Sequence, residues 1–183
     1  MQFLNGLISG GAVINVVSFW TSLFRLEVFN DSFLTSVMVD VLTEILIDRS
    51  LREVSRYASD PGKAPEWYEN IISAEWRTQG LLKLGSEIAF TAHFLGKKLS
   101  YTYKVVEMSE HRFVMKTAEG PFPMETSYEW EQVSDNCTRM KLRNRGNPSG
   151  FSKLVAPFMA IMMRKANMKD LKKLKSILEA NGN

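Results

Sequence analysis

From about Phe151 to Leu178 the chain carries helical periodicity that is apolar on every side at first and two-faced later. A helix with no polar side must be enclosed by the rest of the fold or must line a space within it. The segments upstream therefore have to supply its cover. Most of them alternate apolar and polar side chains with a period of two, which marks strands with one buried face.

The first such segment is Val41, Thr43, Ile45 and Ile47, alternating with Asp40, Leu42, Glu44 and Leu46. Ser50 then suits the N-cap of a short helix over Leu51–Tyr57, with Glu53 completing a capping box. Asp60-Pro61-Gly62 ends that helix, and Pro65 fits the first turn of a second one. Alternation resumes at Ile72, Ala74 and Trp76, and again at Ile88, Phe90, Ala92 and Phe94 before a turn at Gly96-Lys97-Lys98. Further strands are expected at Leu99–Val105, Phe113–Thr117, Phe122–Trp130 and Thr138–Asn144. In the last two, Glu125, Glu129 and Glu131 lie on one outer face and Arg139, Lys141, Arg143 and Arg145 on the other. Adjacent strands with these faces predict cross-strand ion pairs rather than a binding site. The order is one strand, two short helices, about six strands and a long helix. Short turns between strands imply an antiparallel meander. The expected class is α+β: a curved antiparallel sheet wrapped around a long C-terminal helix, a helix-grip arrangement.

Charge excludes some functions. The chain of 183 residues has a net charge of +3, and residues from Ser152 onward contribute seven Lys/Arg against two Asp/Glu. The basic excess thus sits on the last helix, where Lys169, Lys172, Lys173 and Lys175 interleave with Leu171, Leu174 and Ile177. This amphipathic pattern reads as a solvated face, with peripheral contact to anionic lipid as the sharper alternative. No nucleic-acid motif accompanies it. Cys137 is the one cysteine, and His93 and His111 are the two histidines, so neither an intramolecular disulfide nor a Cys/His metal site is expected. No metal and no cofactor is called for. The reducing cytoplasm is the expected compartment.

Residues 1–24 carry no charged side chain, and Leu4–Phe24 is mostly apolar or small. The length suits a bilayer, but Asn5, Asn15 and three glycines dilute it, and no basic residue precedes it. The first reading makes residues 1–37 an extension outside the domain proper, with Met38 as the biological start. The second makes it a membrane-touching segment, giving membrane association as the alternative location. A transmembrane anchor ranks third. Residues 38–183 form the domain.

Several stretches resemble a known family. Val54-Ser55-Arg56-Tyr57-Ala58-Ser59-Asp60-Pro61, followed by Pro65-Glu66-Trp67-Tyr68, resembles the helical insert of the START-like (SRPBCC) superfamily. So do Arg112–Thr117 leading into Gly120-Pro121-Phe122, and the ending Asp170-Leu171-Lys172-Lys173-Leu174-Lys175. The resemblance spans Val39–Glu179 and is nearest the polyketide cyclase/dehydrase and lipid-transport branch. It implies a helix-grip fold with a deep apolar cavity for lipids, polyketides or other hydrophobic molecules. It carries no particular reaction.

Inward strand positions and the last helix give the cavity candidates: Trp67, Phe90, Tyr101, Tyr103, Met115, Met124, Tyr128, Trp130, Met140, Phe158 and Met162. Each is equally a core residue when taken singly. Tyr101, Tyr103 and Tyr128 bring hydroxyls that seek partners when buried. His93 is expected on the outer face, His111 in a turn, and Cys137 lacks a base beside it. No catalytic residue can be named, and no inward carboxylate pair for acid/base work is identified. The first functional reading is binding or transfer of a hydrophobic small molecule or lipid. The alternative is a cyclase or dehydratase that uses the same cavity and these tyrosines. A protein-interaction module whose interior has collapsed comes third. The residues set no oligomeric state.

Overall fold

A computed structural model describes residues 38–94, 97–147 and 156–180. The segment 1–37, Gly96 of the expected turn, and the expected helix start at Phe151 lie outside the described residues. No helix among the described residues is long and apolar enough to cross a membrane.

The chain runs β1 (Val39–Ile47), α1 (Leu51–Ser59), a 3-10 turn (Pro61–Lys63), α2 (Ala64–Trp67) and β2 (Ile71–Trp76). Then come β3 (Glu87–Phe94), β4 (Lys97–Met108), β5 (Arg112–Glu119), β6 (Met124–Ser134), β7 (Cys137–Gly146) and the long α3 (Ala156–Ala180). The expected architecture is therefore present. Seven antiparallel strands form one sheet in the order β1-β7-β6-β5-β4-β3-β2. The helical insert carries the chain from one edge of the sheet to the other. β1 lies along β7 from Val39 opposite Gly146 to Ile47 opposite Thr138.

Local chemistry explains the elements. Ser50 caps α1: its hydroxyl accepts from the Glu53 N–H, and Glu53 accepts from the Ser50 N–H at 3.1 Å. Between β4 and β5 the register shifts twice, between Thr102 and Tyr103 and between Val105 and Glu107. Bulges of this kind bend a sheet and increase its twist, which helps it curl over α3. Glu131 pairs with Arg139 at 2.8 Å and Glu125 with Arg145 at 3.5 Å, as the outer-face charges predict. Glu129 instead meets Arg112 of β5.

The core lies between sheet and helix. Ile47, Val54, Trp67, Ile88, Val105, Met140 and Leu142 are buried together with Leu171, Leu174 and Leu178 from the C-terminal half of α3. That half is tied down by hydrogen bonds. Arg49 donates to the carbonyls of Leu178 at 3.0 Å and Glu179 at 2.7 Å, and the Asp48 N–H donates to the Glu179 carboxylate at 2.7 Å. Lys175 donates to the Leu46 carbonyl at 2.8 Å.

Candidate functional site

Where α3 carries smaller and polar side chains inward, the core gives way to space. A cavity of about 200 Å³ lies between the inner face of the sheet, the helical insert and the N-terminal two-thirds of α3. Phe90, Tyr101 and Tyr103 wall one side, Phe113, Met115, Met124 and Tyr128 another, and Met159, Met163, Ala166, Asn167 and Asp170 come from α3.

Six of the sequence candidates thus line one space: Phe90, Tyr101, Tyr103, Met115, Met124 and Tyr128. Trp67, Trp130 and Met140 are buried in the core beside it instead. Trp67 has a positioning place, its ring 3.9 Å from that of Tyr68 and edge-on to Tyr128 at 5.9 Å. Phe158 and Met162 are exposed, and the helix turns Met159 and Met163 to the cavity in their stead. His93 is exposed at the rim, its backbone N–H donating to the Asn70 carbonyl at 2.8 Å.

Two groups of polar side chains interrupt the apolar walls. In the first, the hydroxyls of Tyr68 and Tyr128 meet at 2.9 Å. Asp170, 3% exposed, acts electrostatically on both rings' hydroxyls and accepts the Glu69 N–H at 3.0 Å through Oδ1. Burial pushes the Asp170 carboxyl up from 3.8 to about 6, since the charged form has lost its water. Burial likewise raises Tyr68, Tyr101 and Tyr128, so all three phenols stay neutral donors at ordinary pH. The Tyr101 hydroxyl has no hydrogen-bond partner among the described residues, and its ring stacks on Phe90 at 5.6 Å. Gly120 lets the chain pass closely behind it, for a Cβ there would lie 3.1 Å from the Tyr101 Cβ.

The second group is a directional ladder. Thr126 donates to Asn144 Oδ1 at 2.7 Å, so Tyr103, 3.1 Å from the Thr126 oxygen, must donate to it. Asn144 Nδ2 donates to Asn167 Oδ1 at 3.0 Å. The chain of donors ends at Asn167 Nδ2, which is buried and lacks an acceptor among the described residues. Burial pushes the Tyr103 hydroxyl up to about 12.

The sequence reading missed Asn167 and Asp170. Their signal was the helical spacing of Met163, Asn167, Asp170, Leu171, Leu174 and Leu178, which puts both polar residues on the buried stripe. No group of three or more His, Cys, Asp or Glu side chains suited to a metal occurs among the described residues.

A long helix gripped by a curled sheet, with a lined space between them, narrows the candidates to few families. The sequence profile described as polyketide cyclase/dehydrase and lipid transport matches residues 38–179. The chain belongs to this family. No curated protein matches it in sequence. Among solved structures, a START superfamily protein from Mycobacterium smegmatis superposes with a TM-score of 0.69 at 13% identity, over 78% of this chain and 98% of that one. A protein from Thermus thermophilus gives 0.68 at 20% identity, over 79% and 99%. The Zhui aromatase/cyclase from Streptomyces sp. R1128 gives 0.66 at 13% identity, over 80% and 97%. At such identities these likenesses establish the START-like fold of this polyketide cyclase/dehydrase family member, and nothing of its substrate.

Proposed function

We propose that this protein binds a compact hydrophobic molecule carrying at least one hydrogen-bonding oxygen, held between the sheet and α3. One observation carries the reading: apolar walls from Phe90, Met115, Met159 and Met163 converge on a few buried polar groups. Binding pockets combine an apolar lining with a small number of orienting polar side chains in this way. The Tyr101 hydroxyl and the second oxygen of Asp170 take no hydrogen-bond partner among the described residues, and a ligand oxygen would complete them. The volume of about 200 Å³ suits one or two rings better than a long acyl chain. Native mass spectrometry of the full chain, followed by denaturing extraction, tests this. A stoichiometric hydrophobic compound is expected, and failure of both copurified and added ring compounds to bind would count against it.

The Asp170 carboxyl favours a second reading, a cyclase or dehydratase. A carboxyl with a pKa of about 6 is suited to take a proton from a carbon beside a carbonyl and return it to a departing hydroxyl, which leaves as water. The neutral phenols of Tyr101 and of whichever of Tyr68 and Tyr128 accepts the bond between them would donate to the oxygen on which charge develops. Asp170→Asn separates the two readings. Under the catalytic one it abolishes turnover of a bound poly-β-ketone and leaves binding within about threefold. Equal turnover by both proteins would remove Asp170 from the chemistry. An open cavity weighs against a pure interaction module, for which a collapsed interior is expected.

A further inference from the structure

The outer side of α3 has a pattern that neither the core nor the cavity uses. At 100° per residue, Phe158, Ile161, Met162, Lys165, Lys169, Lys172 and Lys173 fall within about 60° of one line along the helix. All seven are exposed. Ile161 is 67% exposed and Met162 44%, at the end of the helix whose other side lines the cavity through Met159 and Met163. Toward the C-terminus the same line turns basic. Lys169 pairs with Glu69 at 2.6 Å, whereas Lys165, Lys172 and Lys173 make no ion pair among the described residues.

We infer that this face docks on an anionic membrane surface, with the Ile161/Met162 end dipping into the interface and the lysines resting on headgroups. Apolar side chains beside unpaired lysines are what an interfacial helix requires, because burial of the former and attraction of the latter add. A protein partner would need acidic and apolar patches in register; an anionic bilayer supplies both along any line. The apolar end of the face is the cavity end of α3, so docking brings the cavity toward the lipid. This inference stands apart from what the cavity holds.

Co-sedimentation of the full chain with vesicles tests it, comparing phosphatidylcholine alone with mixtures containing phosphatidylglycerol. Binding is expected only with phosphatidylglycerol and should weaken at least tenfold as salt rises from 50 to 300 mM (roughly a 2.4-fold drop in screening length). Ile161→Asn/Met162→Asn and, separately, Lys165→Glu/Lys172→Glu/Lys173→Glu should each cost at least tenfold, with thermal stability and ring-compound binding unchanged. Arg52→Glu/Lys83→Glu, on other exposed surfaces, should change little. The inference is overturned if wild-type protein ignores phosphatidylglycerol vesicles. Undiminished binding by both α3 variants also overturns it and moves the contact elsewhere, residues 1–24 included. Self-association through this face without vesicle binding does the same.

Discussion

Asp170 holds an ionisable group where water scarcely reaches, and its titration is felt by the whole fold. Its pKa is raised on folding from 3.8 to about 6, so the folded protein binds the proton more tightly than the unfolded one does. The stability this confers is full below about pH 4 and is lost as pH rises through 6, by up to about 3 kcal/mol. Asp170→Asn, which keeps an oxygen for the Glu69 N–H, should flatten this slope and stabilise the protein above pH 6. Urea denaturation at pH 4.5 and pH 7.5 would read both effects, and a wild-type slope of opposite sign would refute the assignment. The Tyr68–Tyr128 bond allows a second test. Each Phe substitution strands the other hydroxyl and should cost about 1–2 kcal/mol, with the double variant costing less than the sum. The phase of the first half of α3 was not legible beforehand for a plain reason. An apolar-all-round helix contains no phase, so Phe158 and Met162 could not be told from Met159 and Met163, one residue or 100° away. Phase returns with the lysines, and from there Asn167 and Asp170 could have been placed by counting back from Leu171 and Leu174.

Strands and caps were easier to read than the helix phase, because each declares itself within a few residues. Alternation in β6 and β7 set Thr126, Tyr128 and Trp130 against Thr138, Met140 and Leu142 on one face, and the burial of all six follows. The outer charges then had to meet across the pair, although which partner Glu129 chose depended on β5 lying on its other side. The capping box of Ser50 and Glu53 was equally local. Ser50→Ala should cost about 1 kcal/mol by loss of the cap. Glu131→Gln, at a solvent-exposed pair, should cost less than about 0.5 kcal/mol. Met140→Ala removes a fully buried side chain and should cost about 2–5 kcal/mol. Thermal or urea unfolding of the three variants would establish that order; a Glu131 effect rivalling that of Met140 would contradict it.

For the molecule as a whole, the helical insert sets which strands form the edges. It sends the chain from β1 to the opposite rim of the sheet, so the two edge strands, β1 and β2, are neighbours in sequence but lie at opposite ends of the strand order. The long helix is held unevenly. Arg49, Asp48 and Lys175 fasten its C-terminal end, while Arg164, donating to the Leu42 carbonyl at 3.0 Å, is the side-chain tie to β1 among the described residues nearer the cavity. Amides of residues 160–167 should therefore exchange with solvent at least tenfold faster than those of 172–178, and a bound ring compound should narrow the gap. Equal protection of the two halves would mean that α3 opens as one piece. The same topology has a cost during synthesis. β1 leaves the ribosome early, yet its strand partner β7 follows roughly a hundred residues later. At ordinary elongation rates of about 5–20 residues per second, Val39, Val41 and Ile47 wait some 5–20 s without their strand partner. A nascent chain of this protein is thus sticky at β1 until β7 is made, and a product truncated before β7 leaves β1 unpaired.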